Sequence, residues 1–397
     1  MRDPRLSAKS SPERNSPQDR IITSSTPGSI RPKAAGDLTW WQKGILYQIY
    51  PLSYQDSDGD GRGDLPGLIS RLDYLAWLGV DAVWLSPIYP SPMLDCGYDI
   101  SDFTGVHPAF GTLDDFDRLC SGLHARSIRL ILDFVPNHTS NVHPWFEESR
   151  SSHTNPRRDW YVWCNPGPDG GPPNNWLSRF GGSAWEFDER TGQYYYHAFL
   201  AEQPDLNWRN PAVRRAMADV LRFWMRRGVD GFRVDAAAVL AEDALLRDDP
   251  PNPCFGKDTP PPERFARAYT DSQPESLDYM AELRATVDEF PARVLLGEVD
   301  TSPDKLPDFY GGDPPRLHLP LNYQLLDVPW KAQTIAAAIR DYFGTLPPGA
   351  WPDWVIGSHD KPRIASRIGR AQARVAAMLL LTLHGTPILY AGDEIGA

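Results

Sequence analysis

Eight short apolar runs recur along the chain, and the segments between them carry amphipathic helix patterns. Strand-length runs that alternate with helices are typical of repeated β-α units, which build a parallel sheet. Eight units are enough to close such a sheet on itself, so we expect an α/β fold of the (β/α)8 TIM-barrel class. The predicted strands are Gly44 to Tyr50, Ala82 to Ser86, Leu130 to Val135, Gly231 to Asp235, Val294 to Val299, Leu317 to Asn322, Trp354 to Gly357 and Ile388 to Tyr390.

The segments between the runs contain helix start and stop signals. Asn210 and Pro211 form a cap and a first-turn proline before an apolar stripe that ends ahead of Gly228. Thr112 and Asp115 form a capping pair before a second stripe, and a third stripe precedes Gly79. The stripes are, in this order, Val213, Met217, Val220, Leu221 and Trp224; Phe116, Leu119 and Leu123; and Leu68, Leu72, Leu75 and Leu78.

One connection is much longer than the few residues that usually join a strand to the next helix. About 70 residues separate Asn137 from Asp205, and they are rich in Trp, Tyr, Gly and Pro. This composition predicts an irregular, partly β subdomain that overhangs the barrel mouth and walls a pocket. The start of the chain is rich in Ser, Pro and Arg, which predicts disorder. We therefore expect a disordered tail over 1–36, a first barrel part over 37–136, the inserted B subdomain over 137–205 and the rest of the barrel over 206–397.

Charge and composition exclude several classes of partner. The net charge of −12 argues against nucleic acid and anionic membranes and favours a neutral ligand such as a sugar. The chain lacks an apolar run of about 18 residues, and its start lacks the apolar segment of a secretory signal. The 4 cysteines show no CxxC spacing, which fits a reducing compartment. We expect a soluble, cytoplasmic protein with no membrane partner.

Polar side chains follow the predicted strands at the ends where a barrel carries its active site. Arg233 and Asp235 are two positions apart, so they share a face of their strand and the cation keeps the acid ionised. Taken alone, such a pair is more often a structural ion pair than a site. Glu298 follows an apolar run, and apolar neighbours raise the pKa of a carboxyl group. An ionised and a protonated carboxyl group about 5 Å apart are what glycoside hydrolysis with retained configuration requires.

Four short motifs stand at these strand ends in a fixed order: Asp133 to His138, Gly231 to Asp235, Gly297 to Val299, and His359 with Asp360. As an ordered set they resemble the α-amylase family of retaining α-glycosidases, in its α-glucosidase and oligo-1,6-glucosidase branch. The segment from Gln203 to Asn207 resembles the marker of that branch. The resemblance covers residues 40 to 397.

The resemblance implies a role for each matching residue. Asp235 is expected to be the nucleophile, Glu298 the acid/base, and Asp360 the acid that stabilises the oxocarbenium-like transition state. The acid at 95 and the ring at 98 resemble the pocket for the non-reducing end, which favours exo-acting release of one glucose. For each histidine, an ordinary buried and hydrogen-bonded role is the alternative. The residues implied to bind the sugar are Asp95, Tyr98, His138, Arg233 and His359.

An acidic loop follows the first predicted strand. Its acids occupy alternate positions, so they can converge on a hard cation, and Gly61 permits the sharp turn. The loop begins like an EF-hand, but its twelfth position is Gly67 and a strand precedes it. It resembles the metal loop of the same branch, which implies structural calcium or magnesium; a solvated acidic turn is the alternative. The implied ligands are Asp56, Asp58, Asp60, the Arg62 carbonyl and Asp64.

Two departures from the family pattern bear on activity. Ser358 stands before His359 where the family usually has Asn. The sequence stops at Ala397, where the family continues with a helix, a sugar-contacting Arg and a β-sandwich. We therefore expect the C-terminal helix and β-sandwich domain to be missing, and an apolar flank to be exposed beside strands one and eight.

Two function classes follow from these features. The first is an exo-acting α-glucosidase or transglucosylase for small α-glucosides, with oligo-1,6-glucosidase and trehalose synthase-like enzymes as variants. The second is a truncated barrel that binds sugar with weak activity or none. Ala236 is small and borders the aglycone, and the resemblance implies a preference for α-1,4 linkages where this residue is small.

Overall fold

The computed structural model describes residues 38–257 and 259–397. The strands of this part of the chain are β1 (Leu46–Ile49), β2 (Ala82–Leu85), β3 (Arg129–Phe134), β4 (Trp163–Cys164), β5 (Trp185–Asp188), β6 (Gln193–Tyr196), β7 (Gly231–Val234), β8 (Val294–Gly297), β9 (Leu319–Pro320), β10 (Asp353–Val355) and β11 (Thr386–Tyr390).

Eight of these strands pair in parallel to form a nearly closed barrel. Their order is β10-β11-β1-β2-β3-β7-β8-β9, which is the chain order of a barrel opened between β9 and β10. At that opening the Asn322 N–H donates to the Asp353 carboxylate at 2.9 Å. The predicted TIM-barrel class is confirmed, and each predicted apolar run overlaps one barrel strand.

The helices lie around the barrel and in the inserted segment. They are α1 (Trp40–Lys43), α2 (Leu65–Ser70), α3 (Leu72–Leu78), α4 (Leu113–His124), α5 (Pro144–Ser149), α6 (Pro211–Arg226), α7 (Pro274–Val287), α8 (Gln324–Asp327), α9 (Ala332–Thr345), α10 (Ile364–Ile368) and α11 (Arg370–Thr382).

The barrel strands are buried on both faces, and their side chains alternate between two hydrophobic clusters. Ile131 and Leu296 belong to the cluster inside the barrel. Phe232 and Val234 belong to the outer cluster, between the sheet and the helices. Because successive side chains of a strand point to opposite faces, Arg233 points into the barrel.

Local capping signals predict two of the helices correctly. The Asn210 side chain accepts from Ala212 N–H at the start of α6, and Thr112 with Asp115 forms a capping box at the start of α4. The third stripe is divided between α2 and α3. The Ser70 hydroxyl donates to the Gly67 carbonyl at 2.6 Å, and a hydroxyl that bonds back to its own helix weakens continuation beyond it.

The segment inserted between β3 and α6 has a core of its own. Strands β4, β6 and β5 form an antiparallel sheet, and Trp176, Trp185 and Tyr196 pack in a separate cluster. Bridges between His138 and Asp205 and between Tyr161 and Leu206 join the two ends of the insertion. The domain limits expected from the sequence stay predictions, and the expected disordered tail over 1–36 lies outside the described residues.

Helices α11 and α3 expose apolar side chains, and the apolar flank expected beside strands one and eight stays a prediction. Helix α11 exposes Val375, Met378 and Leu381, and α3 exposes Trp77. Among the described helices, none combines the length and the apolar character that crossing a membrane requires. The cytoplasmic location stays a prediction.

Candidate active site

The centre of the site is Arg233, whose side chain is only 1% exposed. Its Nη1 lies 2.8 Å from Asp133 Oδ1 and 2.5 Å from Asp235 Oδ1, and its Nη2 lies 2.9 Å from Glu298 Oε2. The acids come from adjacent strands, since Asp133 belongs to β3, Asp235 follows β7 and Glu298 follows β8. The guanidinium also lies over the Trp84 ring, 5.3 Å from its centroid. One cation therefore holds three carboxyl groups at the C-terminal ends of three neighbouring strands.

One positive charge cannot balance three buried negative charges, so these acids share protons unevenly. Burial raises the pKa of Asp235 well above its ordinary value, although Arg233 opposes that shift. Burial also acts on Glu298, but Arg233, the Ala236 N–H and a hydrogen bond with Asp235 hold its pKa below its ordinary value. The Ala236 nitrogen lies 3.1 Å from Glu298 Oε2. The three acids therefore titrate as one coupled set around Arg233.

The sequence leads us to expect Asp235 ionised and Glu298 protonated, and this assignment stays a prediction. The expectation for Glu298 rests on its apolar neighbours Leu295 and Leu296. Those side chains pack into the outer and the inner cluster respectively, and the Glu298 carboxylate turns towards Arg233 instead.

A second group of contacts surrounds His359, which follows β10. Its Nδ1 lies 2.9 Å from Gln48 Nε2, and its Nε2 lies 2.9 Å from the Tyr98 hydroxyl oxygen and 3.4 Å from Asp360 Oδ1. The rings of Tyr98 and His359 are stacked, with centroids 5.7 Å apart. Ser358, which replaces the usual Asn, donates to Asp360 Oδ2 at 3.2 Å. Asp360 is 56% exposed and faces the opening of the site.

A third group lies at the closed end of the site. Gln203 Nε2 donates to Asp95 Oδ2 at 2.7 Å and lies 3.1 Å from His138 Nε2. Burial raises the pKa of Asp95, against the hydrogen bond from Gln203. Burial lowers the pKa of His138 to about 3, so its ring is neutral.

A pocket of about 170 Å³ opens among these side chains. The structure brings all the predicted catalytic and sugar-binding residues to its wall. Phe180 and Phe199 of the insertion add two rings, 5.7 Å apart between centroids, and no spacing rule distinguishes these two from core aromatics. A larger cavity of about 410 Å³ beside Tyr74 and Glu394 contains none of the predicted residues. The pocket is lined by Asp95, Tyr98, His138, Phe180, Phe199, Arg233, Asp235, Glu298, His359 and Asp360.

The acidic loop follows β1, as predicted. Carboxylate oxygens of Asp56, Asp58 and Asp64 lie within 4.8 Å of one another, and such hard oxygen donors fit calcium or magnesium. Asp60 is outside this group, and its carboxylate accepts from the Arg62 N–H at 2.8 Å. The structure therefore brings together three of the predicted side-chain ligands but not the fourth.

Comparison with protein-family models matches residues 48–397 to the family described as "Alpha amylase, catalytic domain". The chain belongs to this family. It is 44% identical over 377 residues to a "Probable alpha-glucosidase" of Rhizobium meliloti (strain 1021), covering 90% of this chain and 68% of that protein. It is 40% identical over 376 residues to an "Oligo-1,6-glucosidase" of Halalkalibacterium halodurans, covering 90% of this chain and 66% of that protein.

Solved structures of the family agree with these relatives. An alpha-glucosyl transfer enzyme superposes with a TM-score of 0.87 and 44% identity, covering 91% of this chain and 69% of that chain. The chain thus spans about two thirds of the length of these proteins.

Proposed function

We propose that the chain is a retaining, exo-acting α-glucosidase that removes glucose from short α-glucosides. The observation that carries this proposal is the attachment of Asp235 and Glu298 to one buried guanidinium in the wall of a small pocket. The pocket volume of about 170 Å³ is below the range for drug-sized ligands and suits a single sugar ring. Both glucosidase relatives and the alpha-glucosyl transfer enzyme support this reading.

The attachment of both acids to one guanidinium supports retention of configuration. An inverting enzyme keeps its carboxyl groups about 6.5–9.5 Å apart to admit a water molecule, whereas a retaining enzyme keeps them about 5–5.5 Å apart. Asp235 and Glu298 contact the two terminal nitrogens of Arg233 at 2.5 and 2.9 Å, which favours the shorter spacing.

The proposed reaction has two steps. The Asp235 carboxylate attacks the anomeric carbon while Glu298 gives its proton to the departing oxygen. Water then replaces Asp235 on the sugar and returns a proton to Glu298. Asp360 stabilises the positive charge that develops on the ring, and Asp95, His138 and His359 hold the hydroxyl groups of the sugar.

For the first step Glu298 must hold a proton and Asp235 a negative charge. Arg233 contacts both acids, so it stabilises the charge on whichever of them is ionised.

The linkage and the cation are further parts of the proposal. The small Ala236 next to the nucleophile supports a preference for α-1,4 over α-1,6 linkages. The three acids of the loop support a structural calcium or magnesium ion held by Asp56, Asp58 and Asp64.

Cleavage of a nitrophenyl α-glucoside by the purified chain tests the proposal, with Asp235→Asn as the matched blank. We expect release of nitrophenol that the blank lacks, and α-glucose as the first product seen by NMR. β-Glucose as the first product would contradict retention. Sugar binding without release of nitrophenol would favour the barrel that only binds sugar.

Transglucosylation is the second candidate function, favoured by the likeness to the alpha-glucosyl transfer enzyme. Adding maltose as an acceptor to the same assay separates the two activities. Nitrophenol released in excess over free glucose, with matching amounts of a new oligosaccharide, indicates transfer; equal amounts indicate hydrolysis.

A further inference from the structure

One cation of the insertion forms ion pairs with the barrel loops at the edge of the sugar pocket. The side chain of Arg179 is largely buried, with 18% exposed. Its Nη2 lies 2.5 Å from Asp271 Oδ1, and its Nη1 lies 3.5 Å from Asp300 Oδ2. The other ion pairs of the inserted segment 137–205, among the residues that the structure describes, join residues within it. In this part of the chain, Arg179 alone therefore joins the insertion to the barrel by charge.

The two acids that Arg179 binds belong to the loops that follow β7 and β8. Asp271 lies near the end of the long connection from β7 to α7, and Asp300 stands two residues after Glu298. The same two loops contact each other, since the hydroxyl oxygens of Ser272 and Thr301 lie 3.1 Å apart. The guanidinium therefore binds the loops that follow both of the proposed catalytic acids.

Arg179 stands in the part of the insertion that forms the pocket wall. The next residue, Phe180, lines the pocket, and the Arg179 guanidinium lies 5.9 Å from the ring centroid of Phe199, which also lines it. The Arg179 N–H donates to the Ala198 carbonyl at 2.8 Å. The Ser178 hydroxyl donates to the Phe199 carbonyl at 2.5 Å. The cation and both rings therefore belong to one hydrogen-bonded part of the insertion.

The two rings follow each other from the closed end of the pocket towards its opening. Phe199 lies next to His138, with ring centroids 5.1 Å apart, and the exposed Phe180 lies beyond it. In the proposed reaction the leaving group lies on the side of Glu298, because this acid protonates its oxygen. Phe180 and the loop after Glu298 therefore border the leaving-group side of the pocket.

Hydrogen bonds hold the insertion to the barrel at a second place, further from the pocket. Asn175 Nδ2 donates to the Asp249 carbonyl at 2.9 Å, and Trp176 Nε1 donates to the Arg247 carbonyl at 2.8 Å. These bonds involve neither Arg179 nor the two acids that it binds. Loss of Arg179 should therefore loosen the pocket wall while the insertion stays attached.

We infer that Arg179 is a positioning residue that joins the wall formed by Phe180 and Phe199 to the loops of the two catalytic acids. It thereby shapes the leaving-group side of the pocket for a sugar. A planar guanidinium suits this task, because its separate N–H groups can bind one acid from each loop at the same time. The inference rests on the proposed function in naming the leaving sugar, whereas the contacts of Arg179 do not depend on it.

The test needs a variant that removes this link and still folds. Arg179→Met combined with Asp271→Asn leaves no unpaired buried charge, which is what makes the removal of one partner costly. Arg179→Lys is the conservative variant, since it keeps the charge but lacks the planar group that binds both acids. Arg190→Met is the matched control, because Arg190 pairs with Glu147 inside the insertion.

Kinetics separates a positioning role from a general structural one. We expect the double variant to raise KM for maltose about 10-fold or more, with a smaller change in kcat. The inhibition constant of glucose, measured on the nitrophenyl glucoside, should stay close to wild type, because glucose alone fills the closed end. Arg179→Lys should restore part of the loss, and Arg190→Met should follow wild type. A wild-type KM in the double variant, or an equal loss of glucose affinity, would overturn the inference.

Hydrogen exchange measured by mass spectrometry tests the same contacts without any reaction. Peptides that cover 178–182 should exchange faster in the double variant than in wild type, because the guanidinium no longer holds this turn to the barrel loops. Peptides from β5 and β6 should keep their wild-type rates. Unchanged exchange over 178–182, or faster exchange throughout the insertion, would overturn the inference. Because this readout needs no activity, it separates a failure here from a failure of the proposed function.

Discussion

Two clusters of three carboxyl groups among the described residues differ in what compensates their charge. In the active site, Asp133, Asp235 and Glu298 surround a buried guanidinium. In the acidic loop, Asp56 and Asp58 accept from backbone N–H groups, and the buried Asp64 accepts from Ser57 and Gly67. The N–H groups of Gly59 and Gly61 lower the pKa of Asp56. Hydrogen-bond donors therefore compensate the charge in the loop, whereas a buried cation does so in the barrel.

The comparison teaches that burial, more than residue identity, decides what an acidic cluster can do. Backbone donors and water neutralise an exposed cluster cheaply, and a divalent cation can take their place. In the buried cluster a single cation faces three acids, so the pKa values of the acids move apart. Acid and base catalysis needs groups whose pKa values are separated in this way.

Removing the shared cation should have the largest effect. Arg233→Met leaves three buried carboxyl groups without compensation, and we expect the free energy of unfolding to fall by about 3–5 kcal/mol at neutral pH. The loss should shrink as pH falls, because carboxyl groups that are protonated carry no charge for Arg233 to compensate. Urea unfolding at pH 5 and pH 8 measures both.

The matched control for this prediction is Arg222→Met. Arg222 also binds two acids, Glu289 and Asp219, but both are largely exposed. Surface pairs of this kind contribute at most about 1 kcal/mol. Equal losses in the two variants would show that burial does not distinguish the clusters.

Removing the proton donor should give the next largest effect. Glu298→Gln cannot protonate a departing oxygen, so we expect kcat/KM for maltose to fall by about 10²–10⁴-fold. The leaving group of a nitrophenyl glucoside needs little protonation. The rate of the first step with this substrate should therefore fall much less. Steady-state kinetics on both substrates measures the difference, and equal losses would assign the acid to another residue.

The fold was predictable because its signals are local. Apolar runs of strand length and caps such as Asn210 and Thr112 depend on neighbours a few residues away, and the structure has the corresponding strands and helices. The alternation rule also predicts that Arg233 and Asp235 share a face. The third apolar stripe alone did not indicate that it is divided between α2 and α3, at the end of α2 where the Ser70 hydroxyl bonds back to its own helix.

The electrostatics of the site was not predictable, because it depends on contacts between distant parts of the chain. Glu298 lies 65 residues from Arg233 in sequence (298 − 233 = 65), and its bond to Arg233 reverses the effect of its apolar neighbours. Tyr98 lines the pocket as expected, but the sequence did not indicate that one face of its ring stacks on His359. Phe180 and Phe199 line the pocket because the inserted segment folds over it, which their spacing in the sequence does not indicate.

Divalent cations should stabilise the protein through the acidic loop and not through the active site. With a divalent cation at about 100 times its dissociation constant, binding adds about 2.7 kcal/mol to stability. We expect calcium to raise the melting temperature of the wild type and a chelator to reverse the rise. Asp58→Ala should lose this response.

The variant Asp60→Ala makes the test specific to the structure. Asp60 lies outside the group of three acids, so its removal should keep most of the response to calcium. Loss of the response in Asp60→Ala would restore Asp60 to the ligand set that the sequence predicts. A wild-type melting temperature that does not change with calcium would indicate a solvated acidic turn.

The smallest predicted effect concerns Ala236, which links the two catalytic acids. We expect the wild type to prefer maltose to isomaltose, and Ala236→Val to shift the ratio of kcat/KM towards isomaltose by about 1–3 kcal/mol, as is usual for one altered group in a substrate pocket.

Ala236 has φ of +49°, a backbone region that β-branched residues rarely adopt, and its N–H holds Glu298. The valine variant is therefore also expected to lose activity on both sugars. Ala236→Gly relieves the backbone without filling the aglycone side, so it should keep the preference for maltose. A ratio that valine leaves unmoved, or one that glycine moves equally, would show that the size of residue 236 does not set the linkage.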